Sequence, residues 1–174
     1  MFKTMKYVKN YTEYIKENYK TKRTEYFDSI KSFKDLDEED VLKFIDYCGY
    51  EGFYSEEEAI EYMIDKIEEY KKLPDPCVLY RVVAVDEEGK INKNELGEHY
   101  TPYDWAIDGE MLLQIGSENW DDDTEPYIME VSVPLSEIDI KQTIIQNLSF
   151  PNEHEINLKN KGKGAKLLKI YKMY

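Results

Sequence analysis

Arginine is almost missing from this chain of 174 residues: only Arg23 and Arg81 occur, although lysine is abundant. Lysine stands wherever a bare positive charge suffices, so an arginine kept under that bias is a candidate for a role that needs its planar fork. Cysteine and histidine are equally scarce. Cys48 and Cys77 show no CxxC spacing, and His99 and His154 lie far from both. That pattern argues against a zinc site, so no metal is expected and the thiols read as small core residues. Long apolar runs are lacking as well. The longest, such as "CVLYRVVAV", are too short to cross a bilayer, and the N-terminal "MFKTMKYVKN" has lysines without an apolar stretch of signal-peptide type. The reading is a cytoplasmic protein without membrane contact. There is also no glycine-rich phosphate loop, GxSxG elbow, internal repeat or low-complexity tail.

What is abundant is negative charge. The formal net charge is −14, which repels phosphate backbones and anionic lipid and makes a cationic protein the easier partner to imagine. The chain length suits one domain, or a small core with a helical lobe.

The first part reads as helical. "MKYVKNYTEYIKENYK" spaces Met5, Val8, Tyr11, Ile15 and Tyr19 three to four apart. "DLDEEDVLKFIDYCGY" begins with acids suited to a helix N-terminus, turns Leu42, Ile45 and Tyr47 to one side and stops at Gly49. "SEEEAIEYMIDKIEEYKKL" offers Ser55 and Glu58 as a capping box. The prolines of "LPDPC" end this pattern near residues 73 to 76. Beyond them come the strand-like runs "CVLYRVVAV", "PYIMEVSVP", "EHEINL" and "AKLLKIYKM", with a turn expected at "DEEGK". A helix is expected from "TPYDWAIDGEMLL", with Thr101 as N-cap, Pro102 next and Asp104 at the third helical position. Helices followed by mixed strands imply an α+β fold, with a helical part over 1–74, separate or packed into the same domain, and a core over 75–174.

Three places could support chemistry, and each has a plainer reading. In "CVLYRVVAV" both faces are apolar, as in a central strand, and Arg81 shares a face with Cys77, Leu79, Val83 and Val85. A guanidinium there needs an anion, either a structural carboxylate or a ligand phosphate or ribose. In "LGEHYTPYDWA" a glycine turn gathers His99, Tyr100, Thr101, Tyr103 and Trp105, which could equally be an ordinary turn into a helix. In "NEHEINL" the two-residue period puts Glu153, Glu155 and Asn157 on one face and His154, Ile156 and Leu158 on the other, the pattern of any half-buried edge strand. Taken singly, each plainer reading is preferred.

Together and in this order, "LYRVV", then "LGEHYT" leading into "PYDWA", then a strand ending in "VP", then "PNEHEINL" and a last lysine-rich strand, resemble the ADP-ribosyltransferases of the Arg-Ser-Glu (cholera-toxin-like) class, the small phage-borne members above all. The resemblance covers about residues 77 to 174, and the N-terminal helices match nothing specific. It implies a mixed, mostly antiparallel core of the ADP-ribosyltransferase type. It also implies that NAD is the substrate, cleaved at the nicotinamide–ribose bond, with ADP-ribose passing to a protein acceptor, as in an effector acting on a host protein; the acidic charge of the chain would help it find an acceptor with a basic surface. The strand arginine of that class contacts NAD and maps onto Arg81; Thr101 stands where its serine is usual. The class's catalytic glutamate maps onto Glu155, and the acid two residues earlier, Glu153, becomes the acceptor-side partner. His99, Tyr100, Thr101 and Tyr103 fall in the NAD-binding region, Thr101 as a hydroxyl that holds Glu155 and Tyr100 or Tyr103 as rings to stack on nicotinamide.

Such a reaction builds positive charge on the ribose, which a neighbouring carboxylate stabilises, while a second carboxylate orients or deprotonates the nucleophile. Two other readings stay open: a non-catalytic acidic binding or inhibitor protein that mimics nucleic acid, and an NAD hydrolase on the same fold. A nucleic-acid acceptor is disfavoured by the charge. The lysine-rich "LKNKGKGAKLLKIYK" is taken as a hairpin with a solvated lysine face.

Overall fold

The computed structural model of the chain describes residue 22 and residues 24–85, 96–103 and 125–172. The helix expected over residues 5–20, the "DEEGK" turn and the helix expected after Pro102, with Asp104 and Trp105, lie outside the described residues.

Within them the chain is α+β. After a helical stretch at residues 24–29 come α1 (Glu38–Cys48) and α2 (Glu56–Tyr70). Then follow β1 (Cys77–Val85), β2 (His99–Tyr100), β3 (Glu125–Val133), α3 (Ile140–Ser149), β4 (Ile156–Asn157) and β5 (Lys166–Lys172). No helix among the described residues is long and apolar enough to cross a membrane.

Local chemistry sets the helix ends. Asp37 accepts from the Asp40 N–H while the Asp40 carboxylate accepts from the Asp37 N–H, a reciprocal cap that starts α1. Gly49 ends it at φ 82°, a backbone shape that costs glycine nothing. Ser55 caps α2 as expected by accepting from the Glu58 N–H, but the Glu58 carboxylate reaches past it to the Tyr54 N–H at 3.1 Å. The buried side of α1 is Val41, Phe44 and Ile45, whereas Leu42, expected inside, is 40% exposed. The 3.6-residue period allows one apolar stripe, and Leu42 falls a full 100° from Val41. Phe44 and Met63 are fully enclosed, each worth about 2 kcal/mol of burial.

The sheet is antiparallel throughout, in the order β1-β3-β5, with β2 and β4 forming a separate antiparallel pair. The bridge from Tyr80 to Thr101 ties β1 to the β2 segment. Among the described residues β3 is the middle strand of the three, and β1, expected to be central from its apolar faces, pairs along its length with β3 on one side and meets only the Thr101 bridge on the other. Apolar residues report which faces are covered; they say nothing of how many edges are paired. The lysine-rich end does not form a hairpin of its own: residues 159–162 make a turn in which Asn160 and Lys161 are left-handed, and β5 pairs back onto β3. One hydrophobic cluster joins Phe44, Met63 and Tyr70 of the helices to Leu79, Val131 and Leu148, so the described helices and the sheet share a core.

α3 was not expected. Its buried residues Ile140, Thr143, Ile144, Asn147 and Leu148 have helical spacing, but β-branched side chains favour strands and two of the buried positions hold polar residues. Asp139 starts it by accepting from the Gln142 N–H at 3.0 Å. Replacing Asp139 by Ala should lower stability by about 1 kcal/mol. Urea unfolding of Asp139→Ala checks this, and an unchanged midpoint would mean that the cap contributes nothing to α3.

Candidate functional site

Residues 152–158, expected as an alternating strand, take a different path. Pro151–Glu153 is a 3₁₀ turn, His154 is left-handed at φ 47°, and only Ile156 and Asn157 are strand. Glu155, Ile156, Asn157 and Leu158 are all buried, so the expected in-and-out alternation is absent. Proline fixes the turn, and the left-handed histidine redirects the chain inward just before Glu155.

α3 and α2 hold this segment by polar contacts. The Asn147 side-chain amide donates to the Glu155 carbonyl at 2.6 Å, the Tyr70 hydroxyl to the same carbonyl at 3.5 Å, and the Thr143 hydroxyl accepts from the Asn157 N–H at 3.0 Å. The antiparallel pairing of His99 with Asn157 and of Tyr100 with Ile156 then sets His99 beside the Glu155 carboxylate. The two are in close hydrogen-bonded contact, His99 Nδ1 to Glu155 Oε1. Glu155 is only 2% exposed, so this contact is its compensation for leaving water. The bond to Glu155 holds the His99 imidazole above its ordinary value, against the opposing effect of burial. Glu153, half-buried, has its carboxyl held above the usual range by burial first, then by the hydrogen bond and charge of Glu155.

The other expected residues fall into place differently. Thr101, expected to hold Glu155, is fully buried and its hydroxyl accepts from the Tyr103 N–H at 3.4 Å, and His99 holds the carboxylate instead. His99 and Thr101 lie two residues apart on the same side of the β2 segment, and it is the half-exposed imidazole, diagonal to Glu155 in the register, that meets the carboxylate, while the Thr101 hydroxyl turns to the Tyr103 N–H. Tyr100 is also fully buried; its hydroxyl donates to the Leu96 carbonyl at 2.6 Å, and burial raises it to about 12. Buried throughout, that ring offers no open face for stacking, and the Arg81 guanidinium lies over it 5.5 Å from its centre.

Arg81, expected to meet an anion, donates through Nη1 to the Leu96 carbonyl at 3.2 Å, and its buried Nε has no hydrogen-bond partner among the described residues. Room for it comes from Gly97, where a Cβ would lie 1.6 Å from Nη1 and where φ is +94°. Asn157 has the second such orphan, its buried Nδ2.

A neighbouring cluster was not foreseen. Lys66 sits on the buried stripe of α2, its ammonium 2.9 Å from both Glu69 and the Tyr103 hydroxyl and 4.9 Å from the Tyr103 ring centre. His154 meets Tyr103 edge-on at 5.4 Å, and its Nδ1 lies 3.3 Å from the Tyr62 hydroxyl. Burial, then the Lys66 charge, pushes His154 below its ordinary value. Lysine in an apolar stripe, Met63, Lys66, Ile67, Tyr70, was the one sequence signal for this cluster. Among the described residues no three His, Cys, Asp or Glu side chains converge so as to hold a metal ion.

The arrangement provides a fixed buried carboxylate, an imidazole that links it to the surface, and a second carboxyl whose raised affinity for protons suits acid–base work. The two histidines should titrate on opposite sides of the ordinary value of 6.5, His99 above and His154 below. By linkage, His99 adds stability that is full below 6.5 and fades as pH rises through its raised value, whereas His154 costs stability as pH falls below 6.5. Imidazole proton NMR reads both, and Glu155→Gln should bring only the upper titration down; coincident titrations would contradict the pairing. Gly97→Ala should displace Arg81 and cost about 2 kcal/mol or more from its left-handed backbone and the clash. Thermal unfolding beside Arg81→Ala tests this, since the double variant should recover part of the loss.

Comparison of the chain with protein-family models, with curated proteins and with solved structures gives no match.

Proposed function

We propose that this protein is a mono-ADP-ribosyltransferase that moves ADP-ribose from NAD to a basic protein acceptor, with Glu155 as the catalytic carboxylate and Glu153 beside it. The observation that supports it best is convergence. Segments around Arg81, His99 and Glu155, far apart in sequence, meet through the Tyr80–Thr101 bridge, the Arg81–Tyr100 contact and the His99–Glu155 pair. The orphaned Nε of Arg81 is a donor suited to a phosphate or ribose oxygen, so this residue fits an NAD-binding role.

In the reaction the bond between nicotinamide and ribose breaks with its electron pair leaving on nicotinamide, and the acceptor nucleophile bonds to the ribose carbon and gives up a proton. Glu155, fixed by His99 and by its own pinned carbonyl, supplies negative charge for the ribose without having to reorganise. Glu153 receives the proton, and its raised proton affinity brings it nearer to working pH than an ordinary carboxylate. Thr101, Tyr100 and Tyr103 act behind this front by shaping β2.

A second reading rests on the 2% exposure of Glu155: the His99–Glu155 pair is structural, in a non-catalytic acidic binding protein. An NAD hydrolase on the same residues is distinguished by its product.

The purified protein, labelled NAD and a cell extract decide among them. Glu155→Gln should reduce transfer by about 10³-fold, and Arg81→Ala should weaken it, with each variant's melting curve recorded as a folding control. Transfer retained by a folded Glu155→Gln protein refutes the assignment. Nicotinamide release without labelled protein indicates the hydrolase, and no turnover favours the binding protein. Transfer should also rise with pH through the raised value of Glu153, an acid limb that Glu153→Gln removes.

A further inference from the structure

The loop between α1 and α2 packs against the turn that precedes β4. The Gly52 N–H donates to the Leu148 carbonyl at 3.2 Å, and a Cβ on Gly52 would lie 2.3 Å from Pro151 Cδ. The Tyr62 hydroxyl clamps the other side by donating to the Pro151 carbonyl at 2.5 Å. Between them opens a cavity of about 560 Å³ lined by Glu51, Phe53, Tyr54, Glu58, Tyr62 and Asn152 together with Gly52 and Pro151.

Its chemistry is one-sided. Two carboxylates face it, and none of the described lining residues is cationic. Glu58 spends one oxygen on the Tyr54 N–H, while Glu51 is exposed and makes no ion pair among the described residues. The walls are aromatic, with the Phe53 and Tyr62 rings 5.1 Å apart and tilted by 53°. Tyr54 is fully exposed, and Phe150, next to Pro151, is 53% exposed. Exposed aromatic rings around a preformed cavity are the usual anchors of protein interfaces.

We propose that this cavity docks an arginine side chain presented by a basic protein partner. A guanidinium stacks on aromatic faces while forking to carboxylates, which suits Phe53, Tyr62, Glu51 and Glu58 better than a compact, strongly hydrated ammonium would. The net charge of −14 steers such a partner toward the surface. The cavity lies outside the His99–Glu155 pair, and the inference holds whether or not that pair is catalytic.

The test uses the full chain without NAD, so that its outcome is separate from transfer. N-acetyl-arginine methylamide is titrated into isotope-labelled protein and followed by amide NMR, beside the citrulline and lysine analogues. Saturable shifts confined to residues 51–58 and 151–152 are expected for the arginine probe, with binding weaker by at least about fivefold for citrulline, for lysine and in Glu51→Gln. Glu51 is exposed, so that variant should fold normally, and Phe53→Leu provides a second check on the aromatic wall. Absence of saturable shifts, or equal binding of citrulline, overturns the site; equal binding of lysine overturns the choice of arginine.

Discussion

Burying the Glu155 carboxylate constrains everything around it. An ionised carboxylate removed from water is costly unless it is hydrogen-bonded and paired, and losing one partner of such a pair typically costs more than the pair contributes. The partner here is His99, delivered by a strand of only two residues, so the position of the whole β2 segment matters. That segment is in turn fixed on one side by the Tyr80–Thr101 bridge to the sheet and on the other by its pairing with β4. Arg81 over Tyr100 adds a third restraint, for which Gly97 leaves the space.

The helices serve the same end from below. Asn147 and Tyr70 come from α3 and α2, and both donate to the Glu155 backbone carbonyl. Their polar groups are buried and satisfied there, which fixes the backbone without consuming the carboxylate's own hydrogen-bonding capacity. Lys66, Glu69, Tyr103 and His154 form a second charged layer next to this one. The two histidines consequently shift in opposite directions: the hydrogen bond to Glu155 dominates at His99, whereas burial and then the Lys66 charge dominate at His154.

Much of the fold was legible because it is local. The acidic start of α1, the cap at Ser55, the stop at Gly49 and the strands Cys77–Val85, Glu125–Val133 and Lys166–Lys172 rest on side chains a few residues apart. α3 was missed because Ile140, Thr143, Ile144 and Asn147 have helical spacing but strand-like or polar character, and burial of their face outweighs propensity. The candidate site was legible as a set of names, Arg81, His99, Glu153 and Glu155, but not as geometry. Alternation assigned Glu155 to a half-exposed strand face, whereas Pro151 and the left-handed His154 turn it inward.

By itself the sequence determined the acidic charge, the helix-then-strand order and the α+β class, since composition and periodicity act over a few residues. Tertiary structure alone decided that His99, not Thr101, holds Glu155, that Arg81 rests on Tyr100, and that Lys66 lies under Tyr103. Those contacts join residues separated by tens of positions. Their existence depends on strand register, where a shift of one residue exchanges the two faces and would remove His99 from the carboxylate.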